Sequence, residues 1–227
     1  MFHVEQIEDL KNILGNERIP DLDETMRLLS EYKKKIVEWN QRINLISRSD
    51  EGRIITRHFL QSIGIVKAIS VPYNSSFLDL GSGAGLPGIP IKLVRQDLSV
   101  ILAESVRKKA DFLKLVIEEL GLRKIQVHAD RVDESHVLEK QVDHVFVRSV
   151  SNLTNLVRWG FPSLKEGGRL IAVKGTNHAE EFRELGKKKM LIKQICDYKV
   201  IDYNPYPELF SLGRSYLIVI KKRPNAN

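Results

Sequence analysis

The chain has 227 residues, 42% hydrophobic and 29% charged, enough apolar surface to close a sizeable core and exclude global disorder. Its single cysteine, Cys196, excludes a disulfide framework and a four-cysteine zinc site, and is expected to pack in the core. No apolar run approaches the roughly 20 residues of a membrane-spanning helix. The net charge of +7 lies wholly in the last third, where residues 151–227 carry 14 basic and 7 acidic side chains, while residues 1–76 and 77–150 are each balanced at 11 and 11. Such an excess suits a polyanionic partner, through counterion release and steering, or forms a solvated basic face. The N-terminal MFHVEQIEDL carries acids where a secretory signal carries basic residues, so a soluble cytoplasmic protein is expected.

In chain order, Leu22, Met26, Leu29, Ile36, Val37, Trp39 and Ile43 recur at helical spacing and predict a helix over 22–46. Asp21 after Pro20, with Glu24 three residues on, marks its start. Ile54, Phe59, Ile63 and Val66 supply the apolar stripe of a second helix over 53–68. VPYNSS (71–76) breaks the pattern, which divides the chain into a helical N-terminal piece, 1–72, and a main domain, 73–227. Strand and helix signals then alternate. FLDL (77–80) is a strand, 88–94 a helix, SVILAE (99–104) a strand, and 108–120 an amphipathic helix stopped by Gly121. KIQVHA (124–129) and HVFVRS (144–149) are strands, 153–164 a helix ending at KEGG, and RLIAVK (169–174) a strand. Helix near 178–189 and strands near 193–203 and 215–221 complete the chain. This alternation predicts an α/β fold with a mostly parallel sheet covered on both faces.

The strongest signal is DLGSGAGLPGIP, Asp79 to Pro90. A buried strand runs into Gly81-Ser82-Gly83-Ala84-Gly85, and Pro87 opens a helix where its missing N–H costs nothing. Glycines there let the backbone turn tightly and approach a ligand at the carboxyl ends of the strands. A tight strand-to-helix connection alone would look similar. A dinucleotide fingerprint requires G-x-G-x-x-G, whereas the spacing here is G-x-G-x-G, with Leu86 at the last fingerprint position. Glu104 ends the next strand about 20 residues on, where a carboxylate accepts both hydroxyls of a ribose, or caps the following helix. On spacing alone it serves NAD or S-adenosylmethionine. The third strand ends in Ala129–Asp130, followed by Arg131, Val132 and Asp133, where an adenine would lie.

These segments, together with LAESVRKKADFL (102–113), HADRVDE (128–134) and FVRSVSNL (146–153), resemble the RsmG family, also called GidB. INLIS (43–47) and ITRHFLQS (55–62) are similar to that family's helical cap, and GRSYLIVIKK (213–222) to its end. The family departs from this chain at Glu104, where many members have Asp, and at Asp133, where many have Glu. The resemblance implies a class I methyltransferase with a Rossmann-like seven-stranded sheet and an N-terminal cap. It implies transfer of a methyl group from S-adenosylmethionine to N7 of one guanine in the decoding-region loop of 16S ribosomal RNA. A monomer is expected. The cofactor-binding residues it implies are Asp79, Gly81, Gly83, Leu86, Glu104, Ser105, Val132, Asp133 and Arg148. Arg57, His58, Lys174 and Arg214 fall on the RNA side, and Arg148 and Lys174 are candidates for positioning the reacting groups.

Guanine N7 has an in-plane lone pair and no proton to remove, so this chemistry needs positioning and electrostatics without an obligatory general base. Cytosine C5 methylation would need a cysteine nucleophile, and Cys196 lies far along the chain from the glycine loop. Adenine N6 methylation typically uses an N/D-P-P-aromatic loop after the fourth strand, where this chain has Arg148-Ser149-Val150. NPYP (204–207) follows the sixth strand with the wrong proline order and reads as a turn. Arg148 ends the fourth strand, where a guanidinium holds a carboxylate, meets RNA phosphate, or forms a surface ion pair. Lys187-Lys188-Lys189 reads as a solvated helix end with some attraction for RNA. The alternatives are a non-catalytic RNA-binding protein on the same fold and, less well matched at Leu86, an NAD-dependent oxidoreductase.

Overall fold

The computed structural model describes residues 7–15, 19–132, 138–148, 150–206 and 215–224. Seven strands form one sheet: β1 (Ser76–Leu80), β2 (Ser99–Ala103), β3 (Ile125–His128), β4 (Val142–Arg148), β5 (Leu164–Lys174), β6 (Ile195–Asp202) and β7 (Tyr216–Lys222). Their order is β3-β2-β1-β4-β5-β7-β6, with β7 antiparallel to both neighbours and the remaining pairs parallel. The strand order reverses between β1 and β4, the place where open α/β sheets form a crevice at their carboxyl ends.

Period-two alternation divides the strands between two cores. Phe77, Val100, Leu102, Phe146, Ile171, Leu217 and Val219 face one layer, with α2 (Leu22–Asn40), α3 (Gln61–Ala68), α4 (Gly88–Val94) and α5 (Arg107–Glu119). Leu78, Ile101, Val145, Val147, Leu170, Ala172, Ile218 and Ile220 face the other, under α6 (Leu153–Gly160) and α7 (His178–Gly186). Burial on both faces is what the near-continuous apolar strands require. The N-terminal helices share the first core: Leu10 and Leu14 of α1 (Ile7–Leu14) join Leu29, Tyr32 and Ile36 of α2 in it, with no separate apolar centre among the described residues. No described helix is long and apolar enough to cross a membrane.

Several expected elements are redrawn. Asp21 caps α2 by accepting from Glu24 N at 3.0 Å, as its spacing indicates. The helix stops at Asn40 and does not run to 46, because Asn40 Oδ1 accepts from Leu45 N (2.8 Å) and Ile46 N (3.0 Å) and folds the chain back. The expected helix over 53–68 is a 3₁₀ segment, Arg48–Arg53, then a π-helical turn, Ile54–Leu60, and only then α3. The helix expected to reach Leu164 ends at Gly160, just ahead of Pro162, and Leu164 instead pairs with Val142 to start β5. The helix near 178–189 is interrupted after α7 and resumes as α8 (Lys189–Ile192). Cys196 is exposed rather than packed in the core. It is the extra residue of a bulge between Ile195 and Asp197 on the edge strand β6, which turns little of its surface to a core.

Candidate active site

The ends of β1 and β2 and the loop after them form the floor. Gly81 and Ser82 both donate to Ala103 O, at 3.0 and 2.9 Å, tying the glycine loop to β2. The loop takes positive φ at Gly81 (+75°), Gly83 (+58°) and Gly85 (+90°), backbone that glycine adopts without a Cβ penalty. Glu104 stands one residue past β2, and both of its carboxylate oxygens accept backbone donors. Its Oε2 accepts from Gly83 N at 2.9 Å and its Oε1 from Val106 N at 2.7 Å, ahead of α5. Its carboxylate therefore joins the glycine loop to the α5 end and lies on the cavity wall.

That cavity, about 590 Å³, is lined by Gly81, Gly83, Leu86, Glu104 and Lys174 together with Arg148, Arg57, His58 and Asp50. A second cavity, about 460 Å³, shares Gly81 and Val150 with it and is walled by Leu80, Ala103, Ser105, Val132 and Trp159. The fold thus brings together ten of the sequence-derived residues around two adjoining concavities. Asp79 is differently placed: it is buried behind the loop, and its Oδ2 accepts from Gly88 N (2.8 Å) at the start of α4. Burial pushes its carboxyl up to about 7, against the opposing pull of the Gly88 amide and the Arg148 cation. Asp133 and Arg214 lie outside the described residues.

Arg148, at the end of β4, is no surface ion pair. It is half-buried and donates to Arg57 O (3.3 Å) and to His58 Nδ1 (2.9 Å), and burial lowers its pKa. Lys174, at the end of β5, is committed to Glu181 at 2.7 Å and to Ser151 O at 2.5 Å, with only 11% of its side chain exposed. Glu181 also accepts from Leu153 N, so this pair ties α7 to the start of α6.

Sequence reading missed Asp50, Gln61, Lys109 and Tyr32. The first three line the cavity, and Tyr32 OH donates to Ala84 O in the glycine loop while its ring stacks on Phe59 at 5.3 Å. Gln61 and Lys109 lie within ITRHFLQS (55–62) and LAESVRKKADFL (102–113), where nothing in the residue types singles them out, and no motif contains Tyr32 or Asp50, which only packing brings to the site.

The two cavities fit a nucleoside with a charged amino-acid tail. Leu80, Ala103, Val132 and Trp159 offer an apolar slot in one, and the Glu104 carboxylate stands on the wall of the other. A family model, described as rRNA small subunit methyltransferase G, matches residues 25–205. The chain is 36% identical to a ribosomal RNA small subunit methyltransferase G from Clostridium botulinum (strain Kyoto / Type A2), over 79% of this chain and 77% of that protein. It is 37% identical to a protein of the same name from Acetivibrio thermocellus, over 88% of this chain and 81% of that one. Among solved structures, a SAM-dependent O-methyltransferase from Thermotoga maritima superposes with a TM-score of 0.57 over 86% of this chain and 72% of that chain, at 20% identity, a likeness of fold alone. With its glycine loop, β2 carboxylate and strand order in place, the chain belongs to the rRNA small subunit methyltransferase G (GidB) family.

Proposed function

We propose that the protein transfers a methyl group from S-adenosylmethionine to N7 of a guanine in the decoding-region loop of 16S ribosomal RNA, acting as a cytoplasmic monomer. The observation that carries this reading is the junction of Gly81, Glu104 and Arg148 at one cavity in a chain of this family. When bound, S-adenosylmethionine supplies an electrophilic methyl group on a sulfonium. The chain's own part is to hold and orient. Glu104 offers a carboxylate to a ribose diol, and Ser105 and Val132 flank the apolar slot for an adenine. Gly81 and Gly83 present backbone without a Cβ to the cavity, and Leu86 lines it.

The target nitrogen carries no proton, so no residue of the site is required as a base. Arg57 at the rim, 45% exposed, is placed for phosphate or a base edge. Lys174 serves this reading as a positioning group, through its pair with Glu181. In the proposed division of labour, residues 1–72 supply the substrate side and residues 73–227 the methyl-donor side.

The test is transfer of labelled methyl groups from S-adenosylmethionine to 16S ribosomal RNA lacking this modification, with N7-methylguanine located by chain cleavage at the modified base. Label on another atom, or RNA binding without transfer, overturns the reading. Glu104→Ala is expected to weaken S-adenosylmethionine by roughly 1.5–3 kcal/mol in calorimetry, the range for hydrogen bonds to a charged partner. Sedimentation of the protein at micromolar concentration as a single 26.0 kDa species checks the monomer.

A further inference from the structure

The π-helical turn Ile54–Leu60 presents two consecutive residues to one guanidinium: the carbonyl of Arg57 and the imidazole of His58 both receive Arg148. Turns of this kind concentrate at functional sites. Here it is held from several sides. Ser62 Oγ donates to His58 O at 2.6 Å, Tyr203 OH donates to Gln61 O, and Phe59 stacks on Tyr32.

A guanidinium has donors only, so His58 Nδ1 must be the acceptor, and the ring is the neutral Nε2–H tautomer. Burial first, then the Arg148, Arg57 and Arg53 cations, push His58 down to about 3, which keeps it neutral at working pH. Its Nε2 has no hydrogen-bond partner among the described residues and lies 3.8 Å from Asp50 Oδ2, too far for a hydrogen bond. The other oxygen of Asp50 takes Arg53 Nη2 at 3.2 Å and Arg57 Nε at 3.3 Å, with 13% of the Asp50 side chain exposed. Asp50 thus gathers the rim cations on one side of the imidazole, while Arg148 occupies the other.

We propose that His58 is a positioning residue for methyl transfer that acts through Arg148, fixing the guanidinium in one orientation between the glycine loop and the substrate side of the cavity. The contacts to His58 and Arg57 use two of the donors of Arg148 and set the plane of the rest. A preset donor fork matches an acceptor on the target base, since guanine presents O6 beside N7. The inference rests on the methyl-transfer reading for its consequence, though not for its geometry.

In single-turnover methylation at saturating S-adenosylmethionine, His58→Ala is expected to fall roughly 10- to 100-fold, the scale of a lost alignment, while calorimetric affinity for S-adenosylmethionine stays within about threefold. His58→Asn, whose amide oxygen can stand in for Nδ1, is expected to recover most of the rate. Long-range ¹H–¹⁵N spectra of the wild-type imidazole should show an unprotonated Nδ1, and Arg148→Met should release that tautomer. A protonated Nδ1 in the wild type overturns the proposal, as does wild-type turnover in His58→Ala. Equal losses of rate and cofactor affinity, or a folded His58→Asn without rescue, overturn it too. An inactive wild type with the expected tautomer would sink the methyl-transfer reading and leave the Arg148–His58 contact standing.

Discussion

At Gly81 the backbone takes φ +75°, and a Cβ built there would stand 2.7 Å from Val150 Cγ2. Gly81→Val therefore meets both a disfavoured conformation and a neighbouring side chain at the seam of the two cavities. It is expected to abolish S-adenosylmethionine binding in a protein that still folds; unchanged calorimetric affinity would refute this. His144 raises a different issue, because it is buried in β4 with neither ring nitrogen partnered among the described residues. Burial, aided by Arg169, pushes it down to about 4. The unfolded imidazole takes a proton below about 6.5 and the folded one only near 4, so stability falls as pH drops through that window. His58 acts in the same direction, and Asp79 in the opposite one as pH rises from 3.8 towards 7. Comparing His144→Phe with its parent isolates one of the three. The substitution removes both orphaned nitrogens, so stability at pH 7 should change little. Urea titrations should show the variant gaining on its parent by up to about 3 kcal/mol as pH falls to 4. A parallel pH dependence would mean that His144 is protonated in the folded protein.

At the scale of elements, the site depends on where α2 stops. Asn40 fits the helical periodicity and reads as one more helical residue, yet its side chain ends the helix by taking two backbone donors and giving Nδ2 to Glu51 Oε1 at 2.6 Å. Leu45 and Ile46, whose amides it binds, line the cavity. Asn40→Ala leaves those buried N–H groups without an acceptor and is expected to cost about 1–3 kcal/mol in denaturant unfolding. Proteolysis within 41–47 should rise with it. The following turn was equally hidden in the sequence. Ile54, Phe59, Ile63 and Val66 fit an α-helix, and a π-turn differs by one residue per turn, too little for apolar spacing to register. By contrast α4 matches its expected bounds, because Pro87 and the glycine loop punctuate it locally.

Across the molecule, the basic excess of residues 151–227 collects in part around a surface concavity lined by Arg158, Lys187, Lys188, Lys189 and the exposed Met190. Lys187 is paired with Glu184 at 2.5 Å, so the charge offered outward comes mainly from Lys188, Lys189 and Arg158. Each phosphate neutralised by such a group releases a counterion. Replacing Lys187, Lys188 and Lys189 together by Gln is expected to weaken RNA binding and to make its log–log salt dependence shallower by roughly 1 to 2. The methylated atom should not change. A wild-type salt slope in this variant would reduce the patch to a solvated surface.

The fold class, the glycine loop and Glu104 were legible along the chain, because strand alternation, helix periodicity and glycine spacing are local imprints of backbone geometry. The resemblance then carried Arg57, His58 and Arg148 to the same site. What the chain order could not convey is which side chains face one another. Lys174 looks like a cation aimed at RNA, and packing gives it to Glu181. Cys196 looks like core, and a bulge on an edge strand leaves it exposed. Asp50 carries no motif, and becomes part of the site only where the 3₁₀ segment sets it beside Arg57 and His58. Pairing across 90 residues, as between Arg148 and His58, arises from the closing of one apolar core around the sheet and the N-terminal helices, and leaves no periodic trace in either segment.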